Sequence, residues 1–154
     1  MSKLYFILSI SLIAFGCKDS LRNKIEAKIQ EQCKGVKVCK IDLKEVTDFK
    51  WDRMYFFKTG AEVNKILGFH YPYLGDDVAS RLVFVSGNVV TYHEDNFLAL
   101  YTSTKEKVSF NFYNDLAPYY CFNAADAIFE VNKTVHNGIV YYDLTPPKTQ
   151  PPLE

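Results

Sequence analysis

The stretch RLVFVSGNVVTYHE, residues 81–94, decides the fold. Arg81–Ser86 and Val89–Glu94 are rich in β-branched and aromatic residues, and Gly87-Asn88 stands between them. A glycine beside an asparagine supplies the positive φ that a two-residue hairpin turn demands. The stretch therefore reads as a β-hairpin, and His93-Glu94-Asp95 at its end as a solvated rim. The pattern recurs downstream, where Ala127–Val131 and Ile139–Leu144 surround Asn137-Gly138. Between the two, Val108, Phe110 and Phe112 alternate with Ser109, Asn111 and Tyr113, which marks a further strand before Pro118 interrupts. Hairpins join antiparallel neighbours, so the sheet should be mainly antiparallel.

Upstream, Cys39 to Lys44 alternates strictly and predicts a half-buried strand with Cys39, Ile41 and Leu43 inward. Trp51 to Phe57 predicts a second strand. Thr59-Gly60-Ala61-Glu62 fits a capping box, opening a short helix over Gly60–Leu67 that Gly68 ends. Leu21, Ile25, Ile29 and Cys33 recur every fourth residue, which predicts a helix over Ser20–Cys33. Ser20 caps it, Gly35 ends it, and Arg22, Lys24, Glu26, Lys28 and Gln30 make its polar face. The expected fold is α+β: a mainly antiparallel sheet of about six strands, the N-terminal helix packed on one face, and a short second helix. One domain would span 20–145, and the proline-rich residues 146–154 would form an extended tail.

The chain opens MSKLYFILSISLIAFGC. Leu4–Gly16 is too short to cross a bilayer, which takes roughly 20 apolar residues. A cation, a short apolar run and a small residue are the order of a secretory signal. Ala14-Phe15-Gly16-Cys17 resembles the lipobox of bacterial lipoproteins, with Gly16 and Cys17 in place, Ala14 where leucine is common and Phe15 where a small residue is common. The resemblance implies that residues 1–16 are removed, that Cys17 becomes the lipidated N-terminus, and that residues 17–19 form a tether. The competing readings are an ordinary secreted protein and a retained N-terminal anchor. Lys18 after the cysteine, where the enterobacterial rule places Asp for inner-membrane retention, points to the outer membrane.

Composition excludes some functions. With 18 basic and 18 acidic residues, the chain offers no electrostatic case for nucleic acid. Aromatic residues make up 16%, enough to fill a small β-rich core with rings. Besides Cys17 the cysteines are Cys33, Cys39 and Cys121. An oxidising envelope would allow one bridge: Cys33–Cys39, either of these with Cys121, or none. Metal-site spacing is missing, and no cofactor motif is found. Asn132-Lys133-Thr134 matches a glycosylation acceptor, a chance match in a bacterial lipoprotein.

The string TDFKWDRMYFF, residues 47–57, followed by Glu62 and Leu67-Gly68-Phe69, resembles a set of small uncharacterised bacterial lipoproteins with a T-x-F-x-W-D-x-x-Y-x-F stretch after a lipobox-type signal. Thr47, Phe49, Trp51, Asp52, Tyr55 and Phe57 carry the likeness, which implies no catalytic role. Physically, Trp51 and its ring neighbours can nucleate a core. Asp52 can hold a nearby turn or pair with Arg53. As a general base it would need a partner such as His70. Phe69-His70-Tyr71-Pro72-Tyr73 is an aromatic loop followed by Asp76-Asp77. Its rings either fold over the core or form a contact patch; metal binding by His70, Asp76 and Asp77 is the weaker alternative. The candidate binding surface is thus Trp51, Asp52, Phe69, His70, Tyr71 and Tyr73.

Together these features predict an envelope lipoprotein held to the membrane through its N-terminal lipid. The favoured function is a non-catalytic binding module, of inhibitor or immunity type among others, for a protein partner in the envelope. A structural accessory of an envelope complex is the alternative. A cell-wall or lipid hydrolase would require Asp52, His70, His93 or the acidic pair to converge.

Overall fold

A computed structural model describes residues 20–73, 75, 78–97, 107–112 and 116–146. The signal, Cys17, Asp76, Asp77 and residues 147–154 lie outside the described residues. In chain order the elements are α1 (Leu21–Gln32), β1 (Cys39–Asp42), α2 (Leu43–Val46), β2 (Arg53–Lys58), α3 (Val63–Leu67), β3 (Val78–Ser86), β4 (Val89–Phe97), β5 (Val108–Phe110), β6 (Tyr119–Asn123), β7 (Ile128–His136) and β8 (Ile139–Thr145).

The α+β class stands, but the expected single sheet of about six strands is two sheets of four. Their orders are β1-β7-β8-β5 and β4-β3-β2-β6. Every pairing is antiparallel except β5 with β8, which is parallel. Strand β6, which follows Pro118 directly, was missed because proline reads locally as a breaker. Here it only precedes the strand, and its carbonyl accepts the Lys58 amide at 2.9 Å.

Both predicted hairpins form. Ser86 faces Val89 across a turn in which Gly87 has φ +60°, and Asn137 (φ 50°) and Gly138 (φ 77°) make the other. Positive φ at both Asn137 and Gly138 is the type I′ signature, whereas positive φ at Gly87 alone is that of type II′. The second hairpin is longer than predicted, since β7 runs to His136.

One inward face of each sheet meets the other in a shared core. Rings join them where β2 and β6 face β5 and β7: Phe56 lies 4.8 Å from Phe112, Phe112 stacks on Tyr120 at 4.0 Å, and Phe122 meets Phe129 at 5.2 Å. Over β3 and β4 the space is filled by α1, through Leu21, Ile25 and Ile29, and by Phe49 and Trp51, both edge-on to Phe84. The outward face of the β1-β7-β8-β5 sheet is polar, with Lys40–Glu130, Ser109–Asp143 and Asn132–Thr145 contacts. The back of the other sheet carries a second core: Tyr55, Phe57, Val83, Val85 and Cys121 lie under Val63, Leu67 and Tyr71.

Three local expectations change. The strand from Cys39 ends at Asp42, whose carboxylate caps the single turn of α2 by accepting the Lys44 amide at 2.9 Å. Ile41 and Leu43 are still buried as the alternation required. The capping box does not form: Thr59 donates to the Val78 and Ala79 carbonyls, and α3 begins at Val63 with no side-chain cap. Gly68 does close that helix, at φ +76°. Arg22, placed on the polar face by periodicity, is buried. Ser20 caps α1 as expected, accepting the Asn23 amide at 3.3 Å.

Cys33 and Cys39 form a disulfide with a Cα–Cα distance of 5.4 Å, and Cys121 is a buried free thiol. The bridge ties the end of α1 to the start of β1 across a short loop. In the chain-entropy description so small a loop contributes about 2 kcal/mol. The double variant Cys33→Ser, Cys39→Ser should therefore lose about 2 kcal/mol in urea unfolding while keeping a cooperative transition.

Candidate functional site

The six residues expected to share a binding surface fall on two sides of one sheet. Trp51 lies on the front, against Phe84, and its indole N–H donates to Thr47 at 2.8 Å. Asp52 clasps the first hairpin. Its carboxylate accepts the Gly87 amide at 2.6 Å, its backbone amide donates to the Val85 carbonyl, and its own carbonyl accepts the Ala124 amide. Asp52 also meets Arg53 at 3.4 Å. These contacts explain the Trp-Asp pair as a lock on the β2–β3 register.

Phe69, His70, Tyr71 and Tyr73 belong to the back. Phe69 packs on the second core, His70 is exposed, and Tyr71 is wholly buried. The Arg81 guanidinium sits 5.0 Å from the Tyr71 ring and holds Asp95 through two bonds of 2.6 and 2.8 Å. Tyr73 stacks on His93 at 4.0 Å. Asp52 is anchored beside Val85 and Gly87, whereas this cluster gathers around Arg81 and His93. At about 3.3 Å per strand residue, Arg81 and Val85 are roughly 13 Å apart. Asp52 and His70 are therefore not brought together as base and partner.

His93-Glu94-Asp95 is not a solvated rim. Strand alternation sends His93 and Asp95 to the back and Glu94 to the front, under the N-terminus of α1. There Glu94 accepts the Leu21 amide at 3.2 Å and the Arg22 Nε at 2.6 Å, and it also accepts the Tyr92 hydroxyl. Arg22 reaches on to the Val108 carbonyl at 2.8 Å. One carboxylate thus couples α1, β4 and, through Arg22, β5. It satisfies an orphan helix amide and meets the positive end of the helix dipole.

Protonation in this region is structural. Burial pushes the Tyr71 hydroxyl up to about 12. Burial, then the bond to Glu94, does the same for Tyr92, to about 12. Tyr55 is raised to about 12 by burial and then by Cys121. Burial also raises the Cys121 thiol, which disfavours the nucleophilic thiolate. Among the described residues the Tyr71 hydroxyl and His93 Nδ1 are buried with no hydrogen-bond partner. Among the described residues no group of three His, Cys, Asp or Glu is placed to hold a metal ion, and no helix is long and apolar enough to cross a membrane.

The surface that sequence reasoning missed lies at the far end of α1. A groove of about 490 Å³ is walled by Ile29 and Gln30 of α1, the disulfide loop with Lys34, Val36 and Lys37, and the inner face of the β7–β8 hairpin with Val131, Lys133 and Tyr142. Beyond Val131, β7 has no partner on its β1 side among the described residues, because the β1 ladder stops at Cys39. Val36, Val38, Val135 and Ile139 are exposed around it, by 53, 62, 63 and 46%. The signal available in sequence was VKV at 36–38 beside a hairpin too long for its cover. Only strand register puts the two together.

No family model matches this chain, and neither a curated protein nor a solved structure does.

Two outcomes follow from the buried groups. Glu94→Ala leaves the Arg22 cation buried without its carboxylate and should cost about 3–5 kcal/mol, read as a lowered urea midpoint. A raised tyrosine pKa means the folded state holds the proton more tightly. The stabilisation is full below the ordinary value of about 10 and is lost as pH rises through about 12. Stability should therefore fall between those limits, with tyrosinate absorbance rising in step with unfolding.

Proposed function

We propose that this protein is a lipid-anchored, non-catalytic binding module of the bacterial cell envelope. Cys17 carries the lipid, residues 18–19 are the tether, and the folded body faces the periplasm from the outer membrane. Its partner is a protein, held as an inhibitor or immunity protein holds its target.

The observation that carries this reading is the polarity of α1. Its first residue, Leu21, follows the lipidated cysteine by only a few residues. Its last turn borders the groove and the exposed hairpin. A helix of 12 residues spans about 18 Å, so the tethered end and the apolar, cationic end are held apart. An anchored body of this kind presents its open surface away from the bilayer. The Arg22–Glu94 pair fixes the helix against both sheets, which supports a constant distance between its two ends and the rest of the fold. Several acyl chains on one cysteine make such an anchor long-lived, at about 0.8 kcal/mol per buried methylene. The separation of Asp52 from His70 supports binding rather than hydrolysis.

In cells fed labelled palmitate, the native chain should take up label and sediment with membranes, and Cys17→Ala should do neither. Capture of the anchored protein from solubilised envelopes should recover one protein in saturable, stoichiometric amount. An unmodified product beginning at Met1 would overturn the anchor. Hydrolysis of cell-wall or lipid material that is abolished by Asp52→Ala or His70→Ala would overturn the non-catalytic reading.

A further inference from the structure

We infer that the outer edge of β7, residues 132–136, together with the lysine-walled groove beside it, takes an extended acidic segment of a partner protein by strand addition. The inference rests on the binding-module reading and names the surface and the chemistry of its partner.

The first ground is the edge. β7 continues past the end of β1, so among the described residues 132–136 pair only with β8. Alternate amides and carbonyls on the other side form a ready ladder for a further strand. Residues 36–38 would supply that strand if β1 continued in register. The Cys33–Cys39 bridge draws them into a loop instead, and Val36 turns back so that its amide donates to the Cys33 carbonyl at 3.4 Å. The bridge thus keeps the edge open.

The second ground is charge. Lys34, Lys37 and Lys133 wall the groove, and among the described residues none of the three has an ion-pair partner and no wall is acidic. Apolar Val36, Val131 and Ile29 lie between them. Successive side chains of an added strand reach opposite faces, so a segment with acidic residues at every second position would point all of them into the groove, onto the three lysines. The cations also select against other occupants. A second copy of this edge would bring lysine against lysine. The chain's own residues 147–154 contain Pro147, Pro151 and Pro152, which lack the amides a ladder needs. An anionic lipid surface would match the charge, but in the anchored protein the groove lies at the end of α1 away from the tether.

The test uses the full chain, purified in detergent without reductant. The probe is an acetylated, amidated peptide of alternating glutamate and valine. Expected results are saturable binding and slowed hydrogen exchange at residues 132–136. Methylating alternate peptide nitrogens should weaken binding at least tenfold. The variant Lys34→Glu, Lys37→Glu, Lys133→Glu, whose side chains are exposed and bear no ion pairs among the described residues, should also weaken it by about tenfold or more. Equal binding of the methylated peptide, or of a lysine–valine peptide, overturns the inference. So does binding of phosphatidylglycerol vesicles in preference to the peptide. If the charge-reversed protein still captures its envelope partner in full, this surface is not the site, although the binding-module reading stands. If the native protein captures no partner yet holds the peptide at 132–136, that broader reading fails and the strand-addition site stands.

Discussion

Met54, Tyr55, Phe56 and Phe57 are successive buried side chains, and a strand that is apolar on both faces must be covered twice. The rest of the architecture answers that requirement. Met54 and Phe56 face the first core, closed by the second sheet and α1. Tyr55 and Phe57 face the other way, closed by α3 and the loop ending at Tyr73. β2 is therefore central in its own sheet, flanked by β3 and β6, and the two hydrophobic clusters share it as a wall.

Covering the front face leaves polar groups to be reconciled. The start of α1 presents unpaired amides over β4, and Arg22 has to pass between the sheets to reach β5. Glu94 resolves both demands by accepting from the helix amide and the guanidinium together. That pairing sets the direction of α1, which in turn places its last turn and the disulfide loop against the second hairpin. The open edge of β7 is a consequence: the bridge ends β1 early, and the hairpin runs on beyond the cover available to it.

Much of this was legible locally. Both hairpin turns were marked by glycine beside asparagine, where positive φ is needed. The α1 stripe, its Ser20 cap and the Gly68 helix stop were marked by spacing and residue type. The failures are equally specific. Tyr119–Asn123 looked interrupted because of Pro118, which lies just before the strand and gives the ladder only its carbonyl. Thr59 looked like a cap, but its hydroxyl is taken by the Val78 and Ala79 carbonyls of another strand. Arg22 and Glu94 both looked like surface charges, because neither residue's neighbours in sequence reveal the other, 72 positions away.

The candidate surface was harder still. Trp51, Asp52 and the 69–73 loop were grouped by their rings and charges, yet Trp51 lies across the sheet from the loop and Asp52 sits at the first hairpin. Sequence alone determined the α+β class, the hairpins, the amphipathic α1 and the absence of any charge excess. These follow from short-range periodicity and turn chemistry, which a chain carries wherever it folds. Tertiary structure decided the split into two sheets, the burial of Arg22 against Glu94, and the exposure of the β7 edge beside three lysines. Those depend on register and on which distant segment covers which face, and no local pattern encodes them.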